Sequence, residues 1–177
     1  VSCHSEARNI EANIHANVKC YDCHTKHAVK PAKEFAKEQV KACLSCHKNK
    51  TLQHYSEGVH AKNNITCESC HDGGHNVKMI SKQEVSVLCG RCHGDHEKNF
   101  KNSIHQTVMR AGNKIAPTCT DCHGSHTTVS GKISVESKAC LECHLDEKKF
   151  PGENQGSARF VAHYRTSIHA SVEKEGL

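Results

Sequence analysis

The sequence predicts a mainly irregular fold with short α-helices and little or no β-sheet, organised around something other than a core of side chains. Three observations carry this. Only 36% of the 177 residues are apolar, 4% are aromatic and Trp is absent, too little to offset a backbone ordering entropy of ~1–2 kcal/mol per residue. No alternation of apolar and polar residues persists long enough to make a strand. Cys and His are instead abundant, at 13 and 17 residues, a composition shared by disulfide scaffolds, zinc proteins and proteins built on a large apolar cofactor.

Spacing decides among these. Six segments read C-x-x-C-H: Cys20-Cys23-His24, Cys43-Cys46-His47, Cys67-Cys70-His71, Cys89-Cys92-His93, Cys119-Cys122-His123 and Cys140-Cys143-His144. At these residue frequencies chance supplies roughly 0.1 such match. Two thiols one short helical turn apart add to the two vinyl groups on one edge of a porphyrin, and the His that follows reaches the iron as proximal ligand. Structural zinc also uses C-x-x-C pairs, but it needs two pairs per tetrahedral site and gives no reason for a His after every second Cys. A seventh motif is read at the start of the chain, where Val1-Ser2-Cys3-His4 matches Leu44-Ser45-Cys46-His47 with the first Cys missing. The cofactor implied is haem c, about seven copies. Cys3, Cys20, Cys23, Cys43, Cys46, Cys67, Cys70, Cys89, Cys92, Cys119, Cys122, Cys140 and Cys143 are the thioether cysteines. His4, His24, His47, His71, His93, His123 and His144 are the proximal ligands.

The motifs alternate between two types, and each type recurs at an interval of 43 to 52 residues, which marks an internal repeat. Type one begins just before Val1 and at Cys43, Cys89 and Cys140; type two begins at Cys20, Cys67 and Cys119. Residues 1–177 therefore read as one array of about three and a half two-haem repeats, near 1–42, 43–88, 89–139 and 140–177. The pattern is interrupted at both ends, so the chain is expected to be a fragment of a longer protein.

Seven further His are periodic. His15, His60, His105 and His169 each follow Ile or Val between a type-one and a type-two motif, while His27, His75 and His126 fall three or four residues after a type-two proximal His. A low-spin iron needs a second axial ligand, and Met, the other common choice, occurs only at Met79 and Met109. These seven His are thus the candidate distal ligands. His27, three residues from His24, lies too close in sequence to reach the opposite face of the same haem and is expected to serve a neighbour, and the same holds for His75 and His126. His54, His96 and His163 fall outside the repeat and read as solvent or propionate contacts.

Along the chain, Pro31 suits a first helical turn and predicts a helix to about Ala42. Short helices carry the motifs, Gly73-Gly74, Gly112 and Gly131 mark turns, and 151–156 reads as an exposed loop.

Tandem C-x-x-C-H motifs with interspersed His, and stretches such as Pro117-Thr-Cys-Thr-Asp-Cys-His-Gly-Ser-His126, resemble the multihaem c-type cytochromes of bacteria and archaea over the whole chain. The resemblance implies export before haem attachment, bis-His low-potential haems, and stacked or perpendicular haem pairs that conduct electrons. The location implied is periplasmic, extracellular or at the cell surface. An iron with both axial sites taken by His binds no substrate, so the residues point to an electron carrier and to no catalytic residue. Nitrite reductases of this kind carry a catalytic C-x-x-C-K motif, and no Lys follows any motif here. Hydroxylamine-oxidising relatives use a cross-linked Tyr, for which Tyr21, Tyr55 and Tyr164 show no placement. The rival readings are the electron-input part of a multihaem oxidoreductase and the subunit of an extracellular cytochrome filament, with His163 or His169 serving the next subunit.

The formal charge of +5 does not indicate nucleic acid, because Lys is dispersed and no basic stripe is interleaved with aromatics. Each ferric haem adds about −1, so seven turn +5 into roughly −2. No run approaches 18 apolar residues, so no transmembrane segment is expected in this chain. The expected partners are redox proteins or an extracellular electron acceptor, within a larger complex or a homopolymer.

Overall fold

The computed structural model describes residues 14–24, 27, 28, 30–128, 133–146, 148, 149, 163, 164 and 166. Cys3, His4, His169, Gly131 and the 151–156 loop lie outside the described residues. Contacts divide the chain into two units, Val1–Leu88 with Ser125–Thr128, and Cys89–Gly124 with Val129–Leu177.

Among the described residues the regular structure is helical and no strand forms. In the first unit the helices are α1 (Cys20–Cys23), α2 (Ala32–Cys46), α3 (Lys50–Gln53), a 3₁₀ turn over Tyr55–Glu57, α4 (Val59–Lys62) and α5 (Glu68–His71). α6 (Val85–Gly90) runs out of the first unit at Leu88. The second unit holds α7 (Gly94–Lys101), α8 (Ile104–Arg110), α9 (Cys119–His123) and α10 (Ile133–His144).

The helix expected from Pro31 to Ala42 is longer than the sequence reading made it. Pro31 stands at the N-cap, its carbonyl accepting from the Glu34 and Phe35 amides, and α2 continues to Cys46 so that its last turn carries a haem motif. The extension has a local cause: Cys43, Leu44, Ser45 and Cys46 contain no helix breaker, and the Ser45 hydroxyl finds its partner in the Ala42 carbonyl at 2.7 Å. Four helices, α3, α4, α7 and α8, and the 3₁₀ turn arise among the described residues where the sequence predicts loops, and the two longest of them show why. α7 has Asp95 and Glu97 in its first turn, Lys98 and Lys101 in its last, and a Glu97–Lys101 ion pair at 2.8 Å, an order that complements the helix dipole. α8 is capped by Ser103, whose hydroxyl accepts from the Gln106 amide at 3.3 Å.

The expected lack of a side-chain core holds in an extreme form. Among the described residues Ala116 is the one buried hydrophobic side chain, beside buried Gln39, Ser86 and Thr118, and no side chain is sealed below 2% exposure. Met79, Ile104, Val87 and Ile14 are all more than half exposed. What would cover them is not protein from this chain's described residues, which is the arrangement expected when cofactors fill the interior.

Turns follow the glycines where positive φ demands it. Gly73 (φ 59°) follows Asp72 (φ 55°) just after the third motif, and Gly112 (φ 90°) ends α8.

Candidate haem-binding site

Five of the six complete motifs lie on helices: α1, the end of α2, the start and body of α5, α9 and the end of α10; the fourth runs off the end of α6. The type-two motifs share a device that the sequence reading did not use. The third residue of C-x-x-C accepts a hydrogen bond from the backbone amide of the residue before the first Cys: Asp22 from Lys19 at 3.0 Å, Ser69 from Thr66 at 3.2 Å and Asp121 from Thr118 at 2.8 Å. Each turn is thereby closed from inside the motif, and the spacing of the two thiols is set before anything binds. The signal was present as a short acceptor, Asp or Ser, at the same place in all three. Before the last of them, the Asn113 side chain accepts from the Ile115 and Ala116 amides at 2.9 and 3.2 Å, turning the chain so that Ala116 and Thr118 bury ahead of α9. Asp121→Ala is expected to cost ~1 kcal/mol of helix-start stability and to leave a measurable fraction of chains one haem lighter by intact mass, with Asp121→Asn keeping full occupancy.

Within each unit, consecutive motifs meet through their cysteines. α1 packs on α2, and burial, then the nearby Cys46, raises the Cys23 pKa. The Cys43 and Cys67 thiols come within interaction distance of each other, as do those of Cys89 and Cys119. α9 packs on α10, and Cys122 interacts with Cys140. The interaction with Cys43 holds Cys67 low, at about 7, while raising Cys43 itself, and that with Cys89 holds Cys119 at about 6.

The imidazoles pair as well. Ring centroids are 6.0 Å apart for His15 and His47, 6.0 Å for His24 and His75, 6.2 Å for His71 and His126, and 6.2 Å for His105 and His144. Each pair joins one proximal His to one periodic His from elsewhere in the chain. Two metal–imidazole bonds of ~2 Å plus the ring radius on each side require about this separation, so the residues fit an iron held between them. His75 thus meets the proximal His of the preceding type-two motif, and His126 likewise meets His71.

The loop bearing His126 is placed by backbone contacts. The Val59 amide donates to the Thr128 carbonyl at 2.9 Å, and at Gly58 a Cβ would come within 3.3 Å of the His126 carbonyl. Burial, then the neighbouring His71 and His47, holds His126 below the ordinary imidazole pKa; burial and His144 do the same for His105. Both therefore keep a lone pair available where a solvated His would begin to protonate.

Other candidates are placed more plainly. His27 is exposed, and His60 is half-buried on α4. His96, outside the repeat, has its ring 6.0 Å from that of His93, at the same three-residue spacing that separates His27 from His24. His54 is exposed and pairs with Glu57 at 2.8 Å, consistent with a surface role. His123 closes α9, and His163 is exposed.

A helical chain almost without an apolar interior, with cysteines and imidazoles each brought together in twos, defines a haem protein of the c type. Comparisons agree. Residues 59–144 match the cytochrome c3 family and residues 12–52 match a doubled CXXCH motif. The cytochrome c-type protein NrfB of Escherichia coli O6:H1 is 28% identical over 148 residues, covering 66% of this chain and 71% of that protein. No solved structure matches the chain. The chain is a multihaem c-type cytochrome, an electron carrier that works through haem c. Among the described residues no helix is long and apolar enough to cross a membrane.

Proposed function

We propose that this chain is an electron conduit in which about seven bis-His, low-spin haems follow one another in the order of their motifs. The observation that carries the reading is the contact between cysteines of consecutive motifs, Cys43 with Cys67 and Cys89 with Cys119. Each of those four sulfurs belongs to a different haem, so the two groups attached at each contact are immediate neighbours. A type-one motif meets the next type-two motif in the same way within each unit, which supports haems that follow the order of the sequence inside each unit.

In this reading His15 caps the haem of His47, His75 that of His24, His126 that of His71 and His105 that of His144, while Cys3 and His4 hold the seventh haem. Residues 1–177 form one array of two-haem repeats. The chain is exported and works outside the cytoplasm, since the C-x-x-C-H attachment chemistry belongs to exported cytochromes in the class it resembles. Its partners are redox proteins or an extracellular acceptor.

The test is haem content by pyridine haemochrome on the native protein, with its intact mass. Seven or more haems per chain, low-spin and unchanged by carbon monoxide, is the expected result. Fewer haems, or a fraction that binds carbon monoxide, would overturn the all-bis-His conduit.

A further inference from the structure

Two proximal imidazoles of the first unit stand in opposite hydrogen-bonding surroundings. His71 Nδ1 faces the Lys78 carbonyl at 3.3 Å, and its partner His126 has Nδ1 3.3 Å from the Ser125 hydroxyl. His24 Nδ1 is instead buried, with no hydrogen-bond partner among the described residues. Phe35, one turn into α2, packs against this ring, its centroid 4.6 Å from that of His24 with the planes 34° apart. Phe35, Ala42 and Ser45 of α2 form one wall of a ~280 Å³ cavity that His24 and Cys23 also line. Charges at this cavity nearly balance: Lys30 and Lys41 against Asp22 and Glu38, with Lys30 and Glu38 paired at 2.6 Å.

The second hydrogen bond of an axial imidazole sets how strongly it donates to iron. An Nδ1–H held by an acceptor makes the ring more basic, favours ferric iron and lowers the potential; an Nδ1–H with no acceptor makes it a weaker donor and raises the potential. We propose that Phe35 is a potential-setting positioning residue, which keeps the His24 Nδ1 dry and gives the haem on Cys20 and Cys23 a higher potential than the haem on Cys67 and Cys70. Between these two haems, electrons then settle on the His24 haem. The inference rests on His24 and His71 being proximal ligands.

The test is a redox titration of the holoprotein with individual haems resolved by NMR of their methyl groups, comparing wild type with Phe35→Gln and Phe35→Leu. In wild type the Cys20/Cys23 haem is expected to reduce before the Cys67/Cys70 haem. Phe35→Gln places an amide oxygen beside Nδ1 and is expected to shift that haem's reduction equilibrium at least tenfold toward ferric, ~59 mV for one electron. Phe35→Leu keeps the apolar cover and is expected to leave it within a third of that shift. The reverse order in wild type, or equal effects of Gln and Leu, would sink the proposal. Loss of the haem itself, or of its low-spin spectrum in wild type, would instead refute the ligand assignment on which it rests.

Discussion

Prevented from receiving haem, the chain is expected to lose its fold almost completely. Ordering the described backbone costs ~1–2 kcal/mol per residue, and with Ala116 as the one buried hydrophobic among the described residues there is almost no apolar burial, at ~25 cal/mol per Å², to set against it. Local propensity does not rescue it. Isolated helices below about 12–15 residues are marginal in water, and among the described residues only α2, with 15 residues, and α10, with 12, reach that length. The measurement is far-UV circular dichroism of the protein made without haem attachment, or with its motif cysteines changed to Ser, against the holoprotein. Coil-like spectra with no cooperative melt are expected, apart from weak residual helix in α2. A cooperative thermal transition in the haem-free chain would show that side chains supply an interior after all.

This dependence explains what could be read from the sequence. The six motifs and the periodic His were legible because covalent attachment fixes residue type and spacing locally: Cys119, Cys122 and His123 need only one turn of chain to do their work. The near absence of a core followed from composition. The distal pairing was not legible, because it depends on which loop a folded chain brings opposite which motif. His75 and His126 share a position three or four residues after their own motifs, and that position rules out one haem without naming another. The answer lies in contacts such as the Val59 amide on the Thr128 carbonyl, which carry no pattern of residue type. α7 and α8 were missed for a different reason. α7 is polar and has no apolar periodicity, α8 is too short for Ile104 and Val108 to establish one, and their signals are charges and a cap, Glu97 to Lys101 and Ser103, that act only within a turn.

The pairing of His71 with His126 makes the sharpest test of the site. These rings are nearly parallel, at 14°, whereas those of His15 and His47 cross at 60°. Parallel axial imidazoles donate into one iron d orbital more than its partner and split the two, giving a rhombic low-spin electron paramagnetic resonance signal. Crossed imidazoles keep the orbitals close in energy, and the signal becomes strongly anisotropic. His126→Ala is therefore expected to remove one rhombic component, to leave the haem count unchanged, and to create a single high-spin haem that binds carbon monoxide. Losing a strong donor to ferric iron also raises that haem's potential, by at least the ~59 mV of a tenfold change in its equilibrium. His54→Ala is the control, because His54 is exposed and meets only Glu57 in its ion pair; its spectrum should match wild type. Gly58→Val supplies a second probe, since its side chain must push on the His126 carbonyl and so displace the ligand without deleting it. It should broaden the same component that His126→Ala abolishes. If His126→Ala stayed wholly low-spin and silent to carbon monoxide, His126 would not be the ligand, and the register linking each type-two haem to the loop after the next type-two motif would fail with it.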